Sequence, residues 1–114
     1  MIATGDLDHR AVFQRPVQGR DEDGQIVQGW QDVLTEKAAV LYLRGTESVM
    51  QARMQSRSPA ILTVRGSSLA RQITSEWRVV VRDRSGAERL FEIKEDPRPI
   101  ERGAFLEMLV ESGR

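Results

Sequence analysis

Apolar and polar residues alternate with a period of two along most of this 114-residue chain, which is the signature of strands with one buried and one solvated face. Residues 10–16 put Arg10, Val12 and Gln14 on one side and Ala11, Phe13 and Arg15 on the other, and Pro16 stops the run, which predicts an edge strand. Residues 18–25 are polar and acidic with two glycines, the composition of a hairpin loop. The chain returns through residues 26–33, where Trp30 is the largest apolar body. Residues 36–43 alternate less cleanly, as a strand buried on both faces does. Thr46 then caps a predicted helix with Glu47 in its first turn and Val49, Met50 and Met54 on one stripe, closed by Ser58 and Pro59.

Residues 60–65 are β-branched enough for a strand, and Gly66, Ser67 and Ser68 break it before a short helical turn holding Leu69 and Ile73. The clearest strand is 77–82; after a turn cluster at 83–87, residues 89–94 return with Phe91 and Ile93 on one face and Leu90, Glu92 and Lys94 on the other. Asp96, Pro97, Arg98 and Pro99 predict a rigid loop. Residues 103–111 make a last strand, with Leu106, Met108 and Val110 opposite Phe105, Glu107, Leu109 and Glu111. Seven short strands, one helix and no βαβ alternation predict a mainly β fold. The expectation is a small antiparallel β-barrel or sandwich with one inserted short α-helix, a single domain over residues 1–114 carrying a helix-loop insertion at about 44–60.

Length agrees with that: a 12.9 kDa chain buries about two thirds of its extended surface in one core. The longest apolar run, residues 38–43, is far short of the ~20 residues of a membrane span. Residues 1–6 have neither a basic nor an apolar stretch, so neither export nor a membrane partner is expected. Net charge is zero but unevenly spread: from Arg44 to Arg84, eight arginines against three acids leave +5, flanked by −3 before and −2 after. Within this stretch Arg44, Arg53, Arg57, Arg65 and Arg71 are the candidates for contact with DNA in a channel or with an adjoining ring, or else they balance acids on neighbouring subunits. Met50 and Met54 either pack on the domain's own sheet or face a neighbouring subunit.

Chemistry is sparsely provided for. Cysteine is absent, which removes disulfides, thiolate nucleophiles and sulfur-ligated zinc, and His9 is the single histidine, read as a surface or sheet-edge residue. The nine glycines are isolated and form no phosphate cradle. Asp21, Glu22, Asp23 and Gly24 lack the alternating ligands of a calcium loop and read as a solvated hairpin tip. The carboxylate pairs Glu92 with Glu95 and Glu107 with Glu111 have no apolar pocket to split their pKa values. The aromatics Phe13, Trp30, Tyr42, Trp77, Phe91 and Phe105 are spread one per strand, which suits a core better than a stacking platform for single-stranded nucleic acid. No enzyme, metal or cofactor is expected; a small OB-like nucleic-acid-binding module is the competing class.

The order of short motifs carries a resemblance. Gly5, Leu7, Arg10, Phe13 and Gln14 open it, followed by the Asp21-to-Gly24 turn leading to Trp30. Then come the run from Ala38 through Gly45 to Glu47, Val64-Arg65, Trp77-Arg78-Val79, Phe91-Glu92-Ile93, and a closing Arg102-Gly103 with Leu106-Glu107. In this order they resemble the head-tail joining proteins of tailed bacteriophages, of the head-closure or stopper type, over nearly the whole chain. Lys37 stands where that family often has Trp, and Leu41-Tyr42-Leu43 replaces a more usual Pro-Leu. The resemblance implies a structural neck protein of a phage, prophage or gene-transfer particle that closes the portal channel after DNA packaging. It also implies a ring of six or twelve copies, portal or adaptor and tail-terminator or other tail proteins as partners, possible contact with packaged double-stranded DNA, and assembly in the bacterial cytoplasm. A tail-completion or adaptor protein of the same neck is the near alternative.

Overall fold

A computed structural model describes residues 7–43, 50–51 and 57–112. Seven strands follow one another: β1 (His9–Arg20), β2 (Ile26–Tyr42), β3 (Ser58–Arg65), β4 (Arg78–Arg82), β5 (Glu88–Ile93), β6 (Arg98–Ile100) and β7 (Phe105–Ser112). All pair antiparallel in the order β3-β2-β1-β4-β5-β7-β6, and β3 also pairs with β7 along its whole length, which closes six of them into a barrel. Of the two architectures expected, the barrel is therefore the one formed. β6 lies on the same edge of β7 as β5: β5 meets Val110 to Ser112, β6 meets Phe105 to Glu107.

The core is the inward half of the alternation. Phe13, Leu62, Val64, Val79, Phe91, Met108 and Val110 are fully buried, and Ala11, Ala38 and Ala60 supply the small positions between them. Large and small side chains sharing a tight lumen is how a narrow barrel fills its interior. At one end a connection closes the barrel: Ser67 Oγ accepts from Ala70 N at 3.0 Å, a 3-10 turn follows at Ala70–Gln72, and Ala70 and Ile73 are buried in the core. Beside it, Gly66 N donates to Ala104 O at 2.9 Å. A Cβ on Gly66 would stand 2.3 Å from the carbonyl oxygen of Gly103, so only glycine fits. Gly103 (φ +87) completes a left-handed turn begun by Glu101 (φ 48) and Arg102 (φ 60), which joins β6 to β7.

Several expected elements differ. The two strands expected at 26–33 and 36–43 are one, β2, with a bulge opposite Phe13 and Gln14. Before the bulge Asp32 faces out with Gln14; after it Leu34 faces in with Phe13, so an even-numbered residue changes face and the pattern reads as two strands. β1 is not an edge strand, because β2 and β4 flank it. Pro16 stands inside it, opposite Trp30, where β4 has already ended and one side of β1 has no neighbour to need an N–H. The loop expected at 96–99 contains β6, a three-residue strand. Of the predicted insertion, Met50 and Gln51 have helical backbone; residues 44–49 and 52–56 lie outside the described residues.

Past Gln14 and Asp32, β1 and β2 continue without a third strand, a two-stranded arm tipped by a tight turn. There Asp21 Oδ1 accepts from the backbone of Asp23 and of Gln25, each at 2.9 Å, so the acidic segment is the hairpin tip expected of it. The arm stretches the molecule to a radius of gyration of 15.2 Å, against about 13 Å for a compact domain of this length.

Candidate functional site

The barrel divides the arginine set. Arg57 immediately precedes β3, at the end where β2 finishes and the segment 44–56 connects, and Arg65 closes β3 at the opposite end, beneath the arm. Eight residues of strand, about 25 Å at the usual rise, separate them. Arg57 Nη1 lies 3.3 Å from Glu111 Oε1 on β7. This neutralises an acid that otherwise faces Glu92 directly across the β5–β7 pairing, where like charges repel. Arg71 Nη2 donates to Gly103 O at 3.1 Å and braces the left-handed turn. Arg65 and Arg71 thus share the arm end and Arg57 does not join them; Arg44, Arg53 and Met54 lie outside the described residues, and Met50 is 53% exposed.

The aromatics are not all core. Phe13 and Phe91 are buried, but Trp30 and Tyr42 keep about two fifths of their surface, the first in the arm and the second at the far end of β2. At the base of the arm the Arg78 guanidinium carbon sits 4.3 Å from the centroid of the Trp30 ring, a cation–π contact across β1. Arg78 Nε donates to Gln14 Oε1 at 2.7 Å and Gln14 Nε2 to Asp32 Oδ1 at 2.7 Å, so one polar row crosses β4, β1 and β2 and fixes the arm to the barrel. The one Trp of a long polar strand suits a core by sequence; the arm's lack of a third strand puts it outside. A stacking platform needs neighbouring rings on one face, and these two are separated by the length of the barrel.

At the other mouth Tyr42 leans on Phe91, ring centroids 6.3 Å apart, with Arg89 over its outer face at 5.6 Å. These residues, with His9, Val81, Asp83, Ala87 and Glu88, line a cavity of about 110 Å³. His9 opens β1 opposite Ala38, and its Nδ1 is 2.7 Å from Asp8 Oδ1; that hydrogen bond holds the Asp8 carboxyl below the usual carboxylate range. Asp83 is held low as well, first by the Ser85 hydroxyl and then by the backbone N–H groups of Ala87 and Ser85, which makes it the organiser of the β4–β5 hairpin. These contacts are structural: each carboxylate is spent on a neighbouring turn or ring nitrogen.

The outer wall carries the remaining feature of note. On both sides of the barrel, outward residues paired across three strands form apolar rows, Leu41 with Ile61 and Leu109, and Val12 with Val80 and Leu90. Period-two reading of single strands exposes each of these residues, but not that they align.

Comparison with known proteins is consistent with the barrel. The family model for phage head completion proteins matches residues 2–113. A protein of Shigella flexneri 2a, solved in solution, superposes with a TM-score of 0.70 at 23% identity, covering 98% of this chain and 97% of the other. A chain from the virion of a native gene transfer agent particle superposes with a TM-score of 0.58 at 22% identity over 90% of both. No curated protein matches by sequence.

Proposed function

Because this chain belongs to the phage head completion protein family, we propose that it forms the neck ring that joins a filled head to its tail and closes the portal channel behind the packaged DNA. The observation that carries this reading is the family match over residues 2–113, and a structural role in a head-tail neck follows from it. The barrel suits such a part. It is closed, so it offers no free sheet edge along most of its girth, and its two ends differ: the β1–β2 arm leaves one, the segment between Leu43 and Arg57 leaves the other. A subunit with unlike ends matches a neck that meets a portal or adaptor ring above and a tail-terminator ring below.

In this reading six or twelve copies assemble, in the bacterial cytoplasm, on the filled head. Arg44 and Arg53 are the arginines this reading assigns to DNA, whereas Arg57 pairs with Glu111. Deleting the chain from a particle-producing strain is expected to give filled heads that leak DNA and fail to acquire tails; tailed particles that retain DNA without it would overturn the proposal. Changing Arg44→Glu together with Arg53→Glu separates the DNA role from joining. DNA leakage from correctly tailed particles supports contact with DNA, and normal retention removes it. Sub-micromolar binding of short single-stranded DNA by the isolated protein at physiological salt would instead favour the nucleic-acid module.

A further inference from the structure

We propose that the ring's repeating contact is made by two different walls of the barrel, the row Leu41–Ile61–Leu109 of one copy packing on the row Val12–Val80–Leu90 of the next. This rests on the ring reading above and specifies its interface.

The rows are fixed by register. Leu41 pairs with Ile61 and Ile61 with Leu109, so the three lie side by side across β2, β3 and β7. Val12 pairs with Val80 and Val80 with Leu90 across β1, β4 and β5. Their neighbours one residue away, among them Ala60, Val110, Val79 and Phe91, fill the core, so all six point outward. Leu41 is 65% and Leu90 46% exposed. Around the closed barrel the middle strands of the two walls, β3 and β4, are three places apart in a cycle of six, and therefore on opposite sides.

Opposed, unlike walls are what a ring requires. A head-to-tail contact that closes turns its two faces roughly 120° apart for six copies and roughly 150° for twelve. A wall three strands wide on each side covers those angles.

Charge selects the pairing. Leu109 stands between Glu107 and Glu111 along β7, and Val80 between Arg78 and Arg82 along β4, at the same two-residue spacing. The first wall set against its own copy would bring acids onto acids; on the second, Glu88 and Glu92 flank Leu90 beside Arg82 and Arg78, so the arginines of β4 share their wall with acids. Set against the second wall, the acids of the first can meet the arginines of β4, which disfavours a twofold contact through the first wall and favours the head-to-tail one. Within the subunit Glu107 meets Arg98, Glu111 meets Arg57 and Arg82 meets Glu88, all pairs with at least one partner well exposed that exchange at little cost.

The absence of cysteine allows a direct test. Particles are assembled with Val80→Cys, with Ile61→Cys, or with both in one chain, the two positions lying on opposite sides of the barrel, and treated with a short bismaleimide, while the copy number in isolated necks is measured by mass. The doubly substituted chain is expected to give a ladder of covalent multimers up to the ring's copy number; each single variant is expected to stay monomeric, and particles built from a mixture of the two singles to stop at dimers. Necks that hold a ring but yield no ladder overturn the wall assignment and leave the ring reading standing. Necks without a ring overturn both. Dimers formed by either single variant alone indicate a wall meeting itself, and overturn the proposal.

Discussion

Gly66 is the position where a single methyl group should do the most damage outside the core. In Gly66→Ala the new Cβ would lie 2.3 Å from Gly103 O and 3.4 Å from Gly103 C, with Arg71 Nη2 at 3.2 Å. Carbon–oxygen contacts in proteins settle at about 3.3 Å or more, so a shift on the order of 1 Å is needed. The arginine can swing away, but the Gly103 carbonyl is backbone in a left-handed turn whose φ values are already costly for Glu101 and Arg102. Moving it also stretches the Gly66–Ala104 and Arg71–Gly103 hydrogen bonds. Overpacking of this kind costs about 1–3 kcal/mol and a weakened hydrogen bond about 1 more, for a total of about 2–4 kcal/mol. With an unfolding entropy of about 2.1 cal/mol/K per residue, the midpoint of this 114-residue chain should fall by roughly 8–16 °C. Thermal unfolding followed by circular dichroism reads this, with Gly19→Ala, which meets nothing within 4 Å, as a control expected to stay within about 2 °C. Adding Arg71→Ala should not rescue Gly66→Ala, because the clash is with backbone. A midpoint within 3 °C of wild type, or full rescue by Arg71→Ala, would refute the reasoning.

Phe91→Ala empties the lumen beside Tyr42 and should cost about 3–5 kcal/mol, read as a loss of denaturation midpoint; a cost below about 1 kcal/mol would mean the barrel collapses onto the space. Arg57→Ala leaves Glu111 facing Glu92, yet the arginine side chain is 51% exposed, so screening should hold the loss below about 1 kcal/mol and added salt should shrink it further. Asp83 has a folded pKa below its free value of 3.8, so the stability it contributes is complete above that value and is lost as pH falls through the lower, folded one. Asp83→Asn should therefore lose thermal stability at about pH 6 and differ little from wild type near pH 2; an equal deficit at both values would count against the carboxylate's role.

Strand faces are local facts, and the sequence carried them. The alternation in 89–94 and 103–111 put Phe91, Ile93, Leu106, Met108 and Val110 on the buried side, where they are. The turns opened by Asp21 and Asp83 were legible for the same reason, since an aspartate that bonds the next backbone N–H groups needs no distant partner. The sequence also determined the family, through many weak motifs in order rather than any one of them. What depends on which strand lies beside which was hidden. The β3–β7 pairing that makes a barrel rather than a sandwich joins residues forty or more positions apart, and no local pattern encodes it. The bulge in β2 reversed the face of every residue before it, so one strand read as two, and the missing third strand put Trp30 in solvent. Charge counted along the chain gathered Arg57 with Arg65 and Arg71, whereas the length of β3 carries them to opposite ends. Pairing register alone aligned the two apolar rows, because outward residues on separate strands become neighbours only when the sheet closes.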